Sequence, residues 1–434
     1  MATLSKRHVP VGEKTLARHN FAPVDSEVRL LEAGSVAPDP PRSRFEGLVR
    51  RAGPIRDRLG IGPAEGDALK VWVLSRFAMV VVTWAVVWTG FSYTTKQPHG
   101  WASVWQRWDW LRYLGIAEHG YTLASRHGSS IAFFPGYPVL LWAVHLVLRD
   151  WVFSGLFISF VTGAIACVAL ARIIIMEAEA RGEERVRAAV RDGMTMFVWA
   201  PAAVFMAAGY TEGPFLACAM WSWVAARRKN WLLCGILLMG AAAVRINGLF
   251  VLAAVLVLFV QSRPRGLREW VKGWPLALPL VPVAVFFGYL YHLTGHWNAW
   301  ERAEAQGWDR HTTYPWRTFA ETWHYAFGRY MVAENAWEYQ LEIVVTFIGI
   351  GVGIWLLYRR RWAEFVYLLL SVGTLATSHV YLSVPREMLT WWPMWAALAV
   401  WSVRRSWVKS IYLTFSAPTA VAIAYMFLSG KWAG

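Results

Sequence analysis

Residues 71–90 read VWVLSRFAMVVVTWAVVWTG, a run whose one charge is Arg76. About 20 apolar residues suffice to carry a helix across a bilayer. Leu276–Leu293 and Leu389–Val403 have the same character. The whole 434-residue chain is 56% hydrophobic and 16% charged, against about 25% charged in soluble domains. The reading is therefore an all-α polytopic membrane protein. Its 29 tryptophans suit interfacial belts, where an amphipathic ring rests at headgroup level.

The formal net charge is +15. The basic residues cluster between apolar runs, as in Arg227-Arg228-Lys229, Arg359-Arg360-Arg361 and Arg404-Arg405. The excess of cations on cytoplasmic loops explains this pattern with no nucleic-acid partner. Cys167, Cys218 and Cys234 lie in apolar stretches with neither disulfide nor metal-ligand spacing. Residues 1–69 are polar and rich in Arg, Pro and Gly, with no apolar core of a signal peptide. They read as a largely disordered cytoplasmic tail, and 70–434 as one transmembrane domain.

With the tail inside, a first span at Lys70–Gly90 runs outward, Arg76 snorkelling near its inner end. The loop from Phe91 to about Ser130 is then outside. Later spans are expected at Trp274–Leu293, Leu341–Tyr358, Ala363–Leu382, Met388–Val403 and Ile411–Leu428, with a second outer loop over 294–340. Between Arg228 and Arg263 an even number of crossings is required. Two short helices with Arg245-Ile246-Asn247-Gly248 at their outer tip satisfy it. Four apolar pieces, 131–148, 151–175, 193–209 and 213–226, must supply an odd number, so one does not cross fully. The total is about eleven spans, and no internal repeat of the kind common in transporters is evident.

Several polar groups interrupt this apolar background. The segment Trp101–Tyr121, which contains WQRWDWLRY (105–113), reads as an amphipathic helix on the outer surface. Asp109 there shares a face with Trp105, Arg112, Tyr113 and Ile116. It reads either as a surface ion pair with Arg112 or as a general base seated among tryptophans and held ionised by cations. Phe133-Phe134-Pro135-Gly136-Tyr137-Pro138 is a helix entry or a shaped entrance for a lipid chain. Tyr210-Thr211-Glu212 puts a carboxylate between apolar stretches, where ionisable groups suggest function unless the turn is exposed. Arg245 needs an anion, either Glu212 or a substrate phosphate. Ser383–Met388 is an outer turn around Arg386. The outer loop with Trp297, Trp300, Gln306, Trp308 and Trp316 can rest on lipid or stack on sugar rings. His119, His127, His296 and His311 have no ligand spacing.

The order of these pieces carries a resemblance. RWDWLRYLGIAEHGY (107–121), FFPGYP (133–138), AGYTEGPF (208–215), VRINGL (244–249), a Trp/Gln loop and SVPR (383–386) follow one another. From about Lys70 to the C-terminus the chain resembles the PIG-V-like mannosyltransferases, bacterial relatives of the enzyme that adds the second mannose to GPI anchors. One departure is Gly213-Pro214, where the family usually continues YTE with Ser-Leu. The resemblance implies a GT-C-type fold and an extracytoplasmic active site in the cell membrane. The implied donor is a polyprenyl-phosphate-linked sugar, with mannose as the sugar, and the acceptor a glycan, lipid or protein. It implies Asp109 as the catalytic base and maps its other motifs onto Tyr210, Thr211 and Glu212 and onto Arg245, Asn247 and Gly248. Arg245, Arg386 and Arg112 are the expected phosphate-binding cations. Tyr113, His119, Tyr210, Glu212, Asn247, Gln306 and Trp308 are the expected substrate contacts. Clustered acids for a metal and a Gly-rich nucleotide loop are both lacking in the sequence, so the expectation is metal-independent transfer from a lipid carrier with inversion. The competing readings are a transporter or flippase of a lipid-linked precursor, and a scaffold for another transferase.

Overall fold

The computed structural model describes residues 60–89, 100–122, 130–263, 265–328 and 333–431, with side chains from 336 onward in the last stretch. The expected tail through residue 59, the start of the first loop (90–99) and His127 lie outside the described residues. Among the described residues there are seventeen α-helices and no strand. The first half contains α1 (Pro63–Thr89), α2 (Asp109–His119), α3 (Gly136–Leu148), α4 (Trp151–Ala180), α5 (Val186–Val198), α6 (Glu212–Arg227), α7 (Trp231–Val244) and α8 (Gly248–Gln261). The second contains α9 (Leu267–Val271), α10 (Leu280–Thr294), α11 (Ala299–Trp308), α12 (Pro315–Phe327), α13 (Ala333–Tyr358), α14 (Trp362–Ala376), α15 (Val384–Glu387), α16 (Trp392–Arg404) and α17 (Ser406–Leu428).

Four helices are long and apolar enough to cross a membrane: α1, α4, the Ala336–Tyr358 part of α13, and α17. A fifth candidate is the pair Leu267–Ala277 and Leu280–Thr294, bent by 40°. Helices α3, α7, α8 and α14 are apolar but shorter. The chain is thus an all-helical protein with several potential membrane spans. Helix α4 is its axis, with 61% of its most apolar window buried, against 22% for α1. It packs on α6, α5, α1, α16 and α3. Asp150 caps it, accepting a bond from the Phe153 N–H at 2.8 Å, a cap worth about 1 kcal/mol. Leu74, Phe77, Val81 and Trp88 of α1 are all largely exposed, as the lipid-facing side of a spanning helix must be.

Ion pairs gather where several helices end. Glu177 at the end of α4 accepts bonds from Arg361 at 2.7 Å and from Arg181. Glu183 meets Arg404 at 3.1 Å, and Lys409 meets Asp192 at 2.7 Å. Asp67 pairs with Arg187 and Glu65 with Arg172. These last two pairs correct the expected domain boundary. Residues 63–69 are the first turns of α1, because Pro63 suits a helix start and both acids find arginines on neighbouring helices. Arg76 consequently lies midway along α1, not near its inner end, with its guanidinium over the Trp72 ring at 4.0 Å.

The expected helix over 101–121 is also corrected. A single turn of 3-10 helix, Ser103–Trp105, is followed by α2, which starts at Asp109 itself. Trp108, at φ 49° and ψ −114°, breaks the path. Nor do the three tryptophans of WQRWDW all rest at an interface. Trp105 and Trp110 are buried, and of the three only Trp108 is exposed. The Trp110 ring fills a slot between α4 and the segment before α6, where Gly155 and Gly209 face it. A Cβ at either glycine would fall 2.4 Å from the ring. Gly213 is similarly pressed, its missing Cβ 2.5 Å from Oγ1 of Thr162, which gives a steric reason for glycine where the resembled family has serine.

The slot yields a prediction. Gly155→Ala should lower stability by about 1–3 kcal/mol, the usual cost of overpacking, read as a lower melting temperature in detergent. Trp110→Phe on that background should recover part of the loss. A Gly155→Ala protein as stable as wild type would contradict the packing described.

Candidate functional site

Four segments far apart in sequence meet at a buried ionic cluster. The first is the start of α2, the second the start of α6, the third the turn between α7 and α8, and the fourth α15. Arg386 donates from Nη1 to Oδ2 of Asp109 at 2.7 Å and from Nε to Oε1 of Glu212. Arg245 donates from Nη1 to the same Glu212 oxygen at 2.8 Å and from Nη2 to Oε2 of Glu387 at 3.0 Å. Asn247 Nδ2 and Thr390 Oγ1 donate to Oε1 of Glu387 at 2.7 and 3.0 Å. Glu212 is fully buried and its Oε2 has no hydrogen-bond partner among the described residues.

Local structure fixes each member. Tyr210 donates its hydroxyl to the Arg107 carbonyl at 2.8 Å, and Arg107 reaches the Leu428 carbonyl at 3.1 Å. These bonds hold the Trp108 kink that delivers Asp109. Such a conformation in a bulky residue costs of order 1–3 kcal/mol and persists only when its surroundings impose it. The Ser383 N–H at 2.7 Å and the Val384 N–H at 2.8 Å both donate to Glu342 of α13. This anchors α15 from outside the cluster. Arg386 lies over the rings of Phe205 at 4.8 Å and Tyr210 at 4.9 Å. Burial would lower the Arg386 guanidinium, but the Glu212 and Asp109 charges outweigh it and hold it well above its usual range. For Glu387 burial wins, and its carboxyl is pushed up despite the pull of Arg245.

The cluster forms one wall of a cavity of about 790 Å³, within the range of ligand sites. Asp109, Arg245, Asn247, Arg386 and Glu387 line it. Phe133, Phe134 and Phe287 form an apolar side, and Trp297, Trp300 and Trp308 an indole side. Trp300 Nε1 donates to the Ala132 carbonyl at 3.0 Å, and Phe133 meets Trp308 edge-on at 5.4 Å. The site is also recessed. Glu212 sits at the level of Ser159, since the adjacent Gly213 presses on that residue. Ser159 is eight residues into α4, about 12 Å below its Trp151 end.

Of the residues expected from sequence, Asp109, Tyr113, Arg245, Asn247, Trp308 and Arg386 line the cavity. Tyr210 and Glu212 lie buried behind its wall, where Tyr210 packs on Tyr113 at 6.0 Å between centroids. Burial and the Asp109 charge push the Tyr113 phenol up, so it stays a neutral donor. Arg112, His119 and Gln306 are not among the lining residues. Arg112 is half-buried on α2, His119 is exposed beside Glu118 at 3.8 Å, and Gln306 is exposed on α11. Sequence reasoning passed over Glu387, Glu304, Arg310 and Glu342. Glu387 had one readable signal, an acid beside Arg386 in an otherwise apolar stretch. Glu342 had none, because its role is set by a chain crossing 41 residues later. Among the described residues no three His, Cys, Asp or Glu side chains are grouped as metal ligands. Compared with known proteins, the chain matches no family model and no curated sequence.

Breaking a buried ion network by removing one partner costs about 3–5 kcal/mol, because charge is left uncompensated. Glu212→Gln, which leaves Arg245 and Arg386 without their shared anion, should therefore lower thermal stability in lipid nanodiscs by an amount in that range. A loss below about 0.5 kcal/mol, the size of a neutral surface change, would mean that Glu212 is not the anchor.

Proposed function

We propose that the chain is a glycosyltransferase that takes its sugar, mannose by the resemblance to PIG-V-like enzymes, from a polyprenyl phosphate carrier. The observation that carries this reading is Asp109, delivered by a strained turn and paired with Arg386, on the wall of a cavity that is indole-lined on one side and apolar on another. Indole faces stack on sugar rings, and the apolar side suits the first isoprene units of a lipid. A carboxylate between them stands where an acceptor hydroxyl would enter.

In the proposed reaction the hydroxyl proton passes to Asp109 as its oxygen attacks C1 of the donor sugar. The bond from C1 to the phosphate oxygen breaks with its electron pair on the phosphate, and polyprenyl phosphate leaves. Direct displacement on a β-linked donor gives an α-linked product. The proposed architecture is of GT-C type with about eleven crossings, which requires α6 and α16 to span as well as the four shorter apolar helices, all of which need partners to do so. It also puts the N-terminus in the cytoplasm and the cavity on the extracytoplasmic side of the cell membrane, in keeping with the basic turns. The acceptor is a glycan, lipid or protein hydroxyl.

The test uses membranes supplied with labelled polyprenyl-phosphate mannose and extract of the native host as acceptor source. General bases contribute about 10²–10⁴-fold, so Asp109→Asn at matched protein level should reduce transfer by at least about a hundredfold. Transfer at the wild-type rate would remove Asp109 from the mechanism and favour a scaffold.

A further inference from the structure

The two cluster arginines that the sequence offered for the donor phosphate are already engaged. Arg245 uses Nη1 and Nη2 on Glu212 and Glu387, and Arg386 uses Nε and Nη1 on Glu212 and Asp109. Two guanidiniums face three carboxylates there, so the cluster has an excess of one negative charge when all are ionised. A phosphate entering it would meet repulsion and would have to displace a carboxylate.

We propose that Arg310 is the cation that receives the phosphate of the lipid-linked substrate, an inference that rests on the donor class proposed above. Arg310 lines the same cavity as Asp109. Its Nε is buried with no hydrogen-bond partner among the described residues. Its ion-pair contact, Nη1 to Glu304, is 3.5 Å, against 2.7 Å for Arg386 to Asp109. A third of its side chain is exposed, which leaves room for a ligand. A guanidinium with donors to offer fits two phosphate oxygens at once.

The surroundings hold Arg310 in position. Asp309 adopts the left-handed conformation at the end of α11 and turns the chain so that Arg310 follows. Its carboxylate is met by His379 Nδ1 at 2.9 Å, and the Thr313 N–H donates to the Thr377 carbonyl at 2.7 Å. The loop is thus tied to the end of α14. His311 and Thr312 line the cavity beside Arg310 and supply further polar hydrogens. Glu304 competes for the same guanidinium. Burial raises its carboxyl, and Arg310 only partly opposes this. With the phosphate at Arg310 and the base at Asp109, the sugar lies between the two.

The test measures affinity of the full-length protein in nanodiscs for polyprenyl phosphate, for uncharged polyprenol and for inorganic phosphate. A hydrogen bond to a charged group contributes about 1.5–3 kcal/mol, or roughly tenfold or more in affinity. Wild type should prefer polyprenyl phosphate over polyprenol by at least about tenfold. Arg310→Ala should abolish that preference while leaving polyprenol binding unchanged. Arg310→Lys should keep part of it, and Glu304→Gln, which removes the competing anion but keeps the loop's packing, should strengthen it. Competition by inorganic phosphate would identify a bare anion subsite, and its absence would identify the lipid headgroup as the ligand; both accord with the assignment. A wild-type preference that survives Arg310→Ala overturns Arg310 alone. A wild type with no preference for polyprenyl phosphate overturns the donor reading and the inference together.

Discussion

The Oε1 atom of Glu212 accepts from Arg245 and from Arg386, and through these two guanidiniums Asp109 and Glu387 are tied in. Two ionised arginines in an apolar bundle demand anions, so the loop before α2, the α7–α8 turn and α15 must converge on the start of α6. The convergence has a side effect that matters for chemistry. Asp109 cannot relax along its helix, because its partner Arg386 is itself pinned by Glu212 below and by the Glu342 clamp behind α15. The cost of the Trp108 kink is carried by a second set of contacts, from Tyr210 to the Arg107 carbonyl and from Arg107 to the Leu428 carbonyl.

This arrangement also fixes the depth of the site. Helices α14 and α16 run from the ion pairs around Glu177 and Glu183 to the cavity and its ionic wall in 15 and 13 residues, about 20 Å. That is shorter than a hydrocarbon layer of about 30 Å. The ionic wall of the cavity therefore lies below the Trp151 end of α4, level with Ser159. On the cavity's apolar side Phe133 and Phe134 lie next to α10, which itself supplies Phe287 and whose Val285 is two-thirds exposed.

Much of this was legible in the residues, and the remainder had physical reasons to be hidden. Long apolar runs announced spanning helices, because a bilayer leaves the backbone few alternatives. Asp109, Arg245 and Arg386 stood out because a charge in apolar sequence needs a partner, and the Arg245–Glu212 pair was one of the readings the sequence left open. Helix boundaries were less readable. Residues 63–69 look like polar tail until Arg172 and Arg187 are brought alongside Glu65 and Asp67. The Trp108 break depends on Tyr210 and Leu428, contacts no local pattern encodes. Tryptophans read as interfacial proved to be core where glycines opened a slot, as at Trp110. Arg310 was passed over in the sequence, and what marks it is the burial of an Nε that has no partner among the described residues.

A transferase and a flippase would both bring a lipid-linked sugar to this recess, and they differ in whether the bond from C1 to the phosphate is broken. The most direct measurement uses purified protein in sealed vesicles with polyprenyl-phosphate mannose labelled in both sugar and phosphate, plus acceptor extract. Free polyprenyl phosphate and sugar conjugate would be followed together. A transferase releases them one for one, with the new linkage α. Intact donor recovered on the opposite leaflet, with no polyprenyl phosphate released, would contradict the transferase reading.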